Sequence, residues 1–219
     1  MLIFGSISYL NLLPFQIFLK QNIKNNQLKQ IINYKKSVPS SINRDFKNRK
    51  IDAAFISSIK SKRAKCTNLG IIADGAVYSV FVIDGKESLD LESDTSNALS
   101  KLLNIKGKVV IGDKALKLYL NNKSLKFRDL SLEWKKETKL PFVFARLCYN
   151  KKGKKIKKIA KKFIQKKQKI PQFYLKKAAL SRGISKKELL WYLDKIKYKI
   201  TYKEQKALKL FFKKIKDKI

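Results

Sequence analysis

"SVPSSINRDFKNRKIDAAFISS", residues 37–58, sets a helix signal directly against a strand signal. Pro39 suits a first helical turn, and Ser37 or Ser40 is placed to cap it, so a short helix is predicted from about Pro39 to Asn48. Ile51 to Ile56 then reads as a strand ending at Ser57 and Ser58. Upstream, residues 2–7 form an apolar strand, Pro14 to about Gln21 a helix with Phe15, Phe18 and Leu19 on one face, and Ile31 to Tyr34 a second strand. The order β-α-β-α-β implies parallel pairing with helices laid over the sheet, and hence an α/β fold.

Downstream, Val77 to Ile83 is an apolar strand long enough to cross between two lobes, and "LPFVFARLCYN" (140–150) is expected to return the chain through Phe142–Tyr149. "KESLDLESD" (86–94) gathers much of the acid. "SDTSNALSKLLN" reads as a loop and a helix with Thr95 and Ser96 in its first turn. "KVVIGDKALKLYLNN" is strand, Gly112-Asp113, helix. From Lys151 the chain is basic and helical: Ile156, Ile159, Ala160 and Phe163 make one apolar stripe, read as the core face of a surface helix. "SKKELLWYLDKIKYKI" and "TYKEQKALKLFFKKI" read as two closing helices capped by Ser185 and Thr201, with Glu188 and Glu204 at the capping-box offset.

Composition narrows the chemistry. Of 219 residues, 52 are Lys or Arg and 16 Asp or Glu, a net charge of +36. Readers of bases and phosphates favour arginine's planar fork, yet here the arginines are few: Arg44, Arg49, Arg63, Arg128, Arg146 and Arg182. Lysine is spread evenly beside Ile and Asn, so the charge reads as compositional bias, with no specific nucleic-acid partner. A field of that sign still gathers anionic small molecules. Histidine is absent, which removes the commonest general base and metal ligand and every serine–histidine triad. No GxGxxG, Walker, HExxH or GxSxG motif occurs, and no cofactor or metal is expected. No apolar run approaches the ~18 residues of a membrane helix, and the N-terminus lacks a signal-peptide pattern, so a cytoplasmic protein is expected. Cys66 and Cys148, far apart and outside any CxxC, are expected as free thiols.

Strand ends carry the candidate site. Ser8, Tyr9 and Asn11 follow the first strand, Ser57 and Ser58 the third, and Thr95-Ser96 and Gly112-Asp113 open helices. Ligands of open α/β sheets bind outside the carboxyl ends of strands, and hydroxyls beside free N–H groups at helix N-termini suit a carboxylate. Each cluster alone is as well explained as a cap; together they point to a shared anion site.

"SISYLNLLP", "IDAAFISSI", "VYSVFVI", "SDTSNAL", "VVIGDKAL" and "EWKKETKLPFVFA" occur in an order that resembles the chorismate dehydratase family, the first enzymes of the futalosine route to menaquinone; the likeness runs over residues 3–146. It implies a type II periplasmic-binding-protein-like fold of two lobes joined by two crossing strands. Lobe one is expected from residues 1–83 and about 176–219, and a shortened lobe two from about 84–175, with the ligand between them. The implied reaction is a cofactor-free hydro-lyase step from chorismate, a small dicarboxylate, to 3-[(1-carboxyvinyl)oxy]benzoate. The resemblance implies Asn11 and Ser79 as the catalytic pair and Ser57, Thr95 and Ser96 as holding the carboxylates; Ser8, Tyr9, Ser58, Gly112 and Asp113, from the strand-end reading, are expected to bind substrate with them. The base is left open between the substrate's own enolpyruvyl carboxylate and Asp113. The chain departs from the family pattern at Asp94, often arginine, and at Lys60-Ser61, usually Glu-Tyr. The alternatives are a non-catalytic binding protein for an anionic metabolite and the related 1,4-dihydroxy-6-naphthoate synthase.

Overall fold

A computed structural model describes residues 2–22, 32–122, 124–166 and 169–218. The first half of the larger sheet follows the predicted order. β1 (Leu2–Ser6) runs parallel to β2 (Ile32–Lys36) on one side and to β3 (Ala53–Ser57) on the other; Ile31, the predicted start of the second strand, lies outside the described residues. A 3-10 turn, Leu10–Leu12, leads into α1 (Leu13–Asn22), and α2 (Pro39–Lys47) connects β2 to β3. Neither Ser37 nor Ser40 caps α2. Val38 is the N-cap residue, and its apolar side chain offers no cap bond; Pro39 at the start of the helix removes one of the N–H groups that would otherwise lack a partner.

The second half is antiparallel. β4 (Cys66–Ala73) and β8 (Phe142–Tyr149) pair with each other, β8 pairs with β3, and β9 (Lys197–Lys199) closes the edge, giving the order β2-β1-β3-β8-β4-β9. Two expectations change here. Phe142–Tyr149 is a strand of the larger sheet and not a crossing, since β4 needs an antiparallel partner there. "KYK" at 197–199 is an edge strand following α8 (Lys186–Asp194) and not part of a helix. The same pairing sets Cys66 directly opposite Cys148, and the two are joined as a disulfide instead of remaining free thiols.

The smaller sheet is β5 (Val80–Ile83) flanked by β6 (Lys108–Ile111) and β7 (Phe127–Asp129), all antiparallel. Around it lie α3 (Asp94–Leu102), α4 (Gly112–Asn121) and α5 (Leu130–Thr138). Most of Val77–Ile83 is therefore strand of the second lobe, and residues 74–79 make the first crossing; residues 139–141 make the second. By strand pairing the smaller lobe spans roughly the residues between these crossings. The segment 142–175, expected in lobe two, instead packs with the larger sheet through β8 and α6 (Gly153–Gln165).

α5 holds both crossings. Its N-cap, Asp129, is 3% exposed and accepts from Val77 N and Tyr78 N through one carboxylate oxygen and from Ser131 N and Leu132 N through the other. Trp134, fully buried, donates its indole N–H to the Pro141 carbonyl. The stripe of α6 serves the core: Phe163 meets Phe15 and Phe18 edge-on at 5.2 and 5.3 Å. α7 (Gln172–Leu180) packs on α8, whose start is locked by the predicted capping box of Ser185 and Glu188. At Thr201 the reciprocal half of that motif is present, with Glu204 accepting from the Thr201 N–H. α9 (Tyr202–Lys218) lies across β8 and α3, and its Phe211 packs against Trp134 and Phe142, so it touches both lobes.

Candidate active site

The chain leaves β1 through Ser8 and Tyr9 into the 3-10 turn, where buried Leu10 and Leu12 anchor the turn and leave Asn11 half-buried at the surface of the interlobe cavity. The Asn11 carbonyl accepts from the hydroxyl of half-buried Tyr198 at 2.8 Å. Ser79 ends the first crossing and is 2% exposed. Its carbonyl accepts from Gly112 N at 2.7 Å, and its Oγ from the Tyr192 hydroxyl at 3.0 Å. The Asn11 side chain lines the same cavity wall as Ser79. Burial, above all, pushes both phenols beyond the usual tyrosine range, so they are neutral donors.

The cavity between the lobes measures about 80 Å³. Asn11, Ser57, Ser79, Ser93, Ser96 and Gly112 supply its polar wall, and Phe55, Ile71, Val77 and Phe144 much of the apolar one. Three helices begin at this wall: α2 at Pro39, α3 behind its N-cap Ser93, and α4 at Gly112. Their N-terminal dipoles favour an anion. Among the described residues, the lining includes no lysine or arginine; its one charged member is Glu92. The excess positive charge of the chain thus lies outside.

A wider recess of about 840 Å³ adjoins the cavity and is lined by Lys36, Lys114, Lys117 and Arg182. Tyr9 and Glu92 line both spaces, and the Tyr9 hydroxyl donates to the Glu92 carboxylate between the lobes. Burial first, and then Glu92, holds the Tyr9 phenol well above its ordinary range. Two further ties join the lobes at Asp113. One carboxylate oxygen accepts from Leu10 N at 3.0 Å and the other from Arg182 Nε at 2.5 Å, while Arg182 also donates to the Ser8 carbonyl at 2.6 Å. Burial raises the Asp113 carboxyl above its ordinary range, against the pull of those two partners.

The predicted residues thus divide into groups. Asn11, Ser79, Tyr9, Ser57, Ser96 and Gly112 meet at the cavity. Ser8 and Asp113 line the outer recess, with the Asp113 carboxylate committed to the interlobe ties. Ser58 and Thr95 are fully turned to structure: Ser58 Oγ donates to the Val143 carbonyl at 2.5 Å, and Thr95 Oγ1 accepts from Ile59 N at 3.2 Å. The two departures from the family pattern meet each other, since Lys60 and Asp94 form an ion pair at 3.4 Å with both side chains about half exposed. Sequence reading missed Tyr192, Tyr198, Glu92 and Arg182. The two tyrosines lie in a lysine-rich stretch whose only signal is an aromatic residue that must find a hydroxyl partner once buried. Among the described residues, no group of three or more His, Cys, Asp or Glu side chains is placed to hold a metal ion, and no helix is long and apolar enough to cross a membrane.

Two lobes joined by two crossings around a polar cavity define a periplasmic-binding-protein-like fold. Solved structures agree: a protein from Archaeoglobus fulgidus at TM-score 0.71 and 14% identity, covering 99% of this chain and 97% of that one; a Candida albicans protein described as having the generic periplasmic binding protein fold, at 0.53 and 10%, covering 100% and 94%; and the aliphatic sulphonate binding protein of Escherichia coli, at 0.51 and 11%, covering 100% and 96%. The chain belongs to the menaquinone biosynthesis family, which it matches over residues 2–108 and 103–217. It is 48% identical over 219 residues to the chorismate dehydratase of Campylobacter jejuni subsp. jejuni, with 98% of each chain covered.

Proposed function

We propose that this chain is a chorismate dehydratase that needs no cofactor and acts in the cytoplasm on the futalosine route to menaquinone. The observation that carries this reading is the meeting of Asn11 and Ser79 at one interlobe cavity beneath three helix N-termini. A dianionic ring fits such a wall: neutral hydroxyls and helix ends hold carboxylates without burying a cation. In the reaction, the ring carbon bearing the enol ether loses its proton. The C–H electron pair becomes the new ring double bond, the neighbouring C–O bond breaks, and the departing hydroxide and the proton leave as water. Aromatisation drives the step, so the protein has to place the substrate and stabilise the leaving oxygen.

The proton acceptor in this reading is the substrate's own enolpyruvyl carboxylate. Asp113 is a poor rival, because its oxygens are held by Leu10 and Arg182 outside the cavity. Asn11 orients the substrate, and Ser79 hydrogen-bonds the leaving oxygen. Neither cysteine lines the cavity, so a reducing compartment, where disulfides are rare, leaves the chemistry intact.

The test is incubation of the purified, chelator-treated protein with chorismate, following the aromatic product by ultraviolet absorbance and NMR. Asn11→Ala and Ser79→Ala should each lower kcat by about 100-fold or more with smaller changes in binding. Binding of chorismate without any aromatic product would replace this reading with that of a binding protein.

A further inference from the structure

Tyr192 is 1% exposed, and its hydroxyl is bonded to Ser79, which shares the cavity wall with Asn11. Asn11 comes from the turn after β1, Ser79 from the crossing into the smaller sheet, and Tyr192 from α8, which packs on the Asn11 turn. Three segments distant in sequence therefore converge on one stretch of the cavity wall. A serine hydroxyl has one proton and two lone pairs and rotates to suit its partners. A phenol is the more acidic group, so in this pair the tyrosine donates and the serine accepts. With one Ser79 lone pair filled by Tyr192, the Ser79 proton is left to point into the cavity that the residue lines.

We propose that Tyr192 is a positioning residue for the dehydration: its hydroxyl, donating to Ser79 Oγ beside the Asn11 side chain, aims the Ser79 proton at the oxygen that leaves. The inference rests on the dehydratase reading. It implies that the donor depends on the packing of α8 against the turn after β1, which sets the Tyr192 hydroxyl 3.0 Å from Ser79 Oγ. It also gives the C-terminal region, which carries no recognisable motif, a part in the chemistry.

The test compares the wild type, Tyr192→Phe, Ser79→Ala and the double variant with chorismate as the probe, after circular dichroism has established that each is folded. Tyr192→Phe keeps the ring and removes the hydroxyl. Its kcat is expected to fall about 10- to 100-fold, below the loss for removing a donor that touches the substrate, with KM within about 3-fold. In the Ser79→Ala background the same change should cost less than about 3-fold, because the group it acts through is gone. A merely structural tyrosine would lower both backgrounds by the same factor and raise KM; that result, or an unchanged kcat in Tyr192→Phe, overturns the proposal. If Tyr192→Phe does not fold, 4-aminophenylalanine at position 192 retains the ring, the volume and a donor. Its kcat should stay within about 10-fold of wild type, and a 100-fold loss in a folded protein overturns the proposal. Absence of product from the wild type would instead defeat the dehydratase reading, a separate outcome seen before any variant is compared.

Discussion

Replacing Asp129 by asparagine tests how the crossings are held. The native carboxylate is 3% exposed and takes four backbone N–H groups, at 2.9 Å (Val77), 2.7 Å (Tyr78), 3.0 Å (Ser131) and 3.1 Å (Leu132). Each oxygen accepts two of them. An asparagine side chain of the same shape has one oxygen, which can serve either the crossing pair or the helix pair; its NH2 then faces the other two donors. Two buried N–H groups lose their acceptor at roughly 1–3 kcal/mol each, so Asp129→Asn should cost about 2–6 kcal/mol, a large share of the ~5–15 kcal/mol by which a domain is stable. Urea unfolding followed by circular dichroism measures the loss as a lower midpoint at similar slope. Amide exchange at Val77 and Tyr78 should accelerate more than in β1 if the crossing pair is the one abandoned. Because Tyr78 adjoins Ser79, turnover should fall as well. A loss under about 1 kcal/mol would refute the reasoning, since it would mean the amide satisfies all four donors.

Gly112 has φ +67°, and a Cβ there would stand 2.9 Å from the Tyr9 ring. Gly112→Ala should therefore cost about 1–2 kcal/mol in backbone strain alone and displace Tyr9 from Glu92; unaltered thermal stability and KM would count against this. Asp74 is held down to about 2 from 3.8, chiefly by its hydrogen bond to Lys135 and then by Lys197. Its folded value is depressed, so its contribution to stability is complete above pH 3.8 and is lost as pH falls through about 2. The stability gap between wild type and Asp74→Asn should shrink across that window, and a constant gap would refute the assignment. Cys66–Cys148 ties β4 to β8 at positions outside the cavity lining, so reduction should lower stability by about 2–4 kcal/mol, read as a lower unfolding midpoint, while leaving kcat unchanged. A kcat that followed the redox state would show that β4 and β8 transmit to the site.

The legible part of the fold was the part written in local pattern. Pro39 before Ile42 and Phe46, followed by Ala53–Ile56, sets out helix and strand without reference to anything distant, and β1, β2 and β3 follow from it. The errors begin where identity depends on a partner. "CTNLGIIA" is too mixed in polarity to announce β4, and without β4 the strand Phe142–Tyr149 had no place in the larger sheet and was assigned to a crossing. The cysteine pair failed for the same reason, since strand register and not spacing set them opposite each other.

The candidate site divides along the same line. Residue types at strand ends and helix starts marked Asn11, Ser57, Ser96 and Gly112, the family resemblance added Ser79, and the lack of histidine narrowed the chemistry open to them. The chain alone determined an α/β scaffold, a histidine-free set of hydroxyl and amide groups, and a family likeness carried by short motifs, because each is a property of neighbouring residues. Only the tertiary structure decided which of those groups face one cavity, that Ser58 is spent inside the larger lobe and Thr95 and Asp113 on joining the lobes, and that the Tyr192 and Tyr198 hydroxyls bond Ser79 and the Asn11 turn. Those facts depend on long-range packing and strand register, which bring residues more than a hundred positions apart within one hydrogen bond.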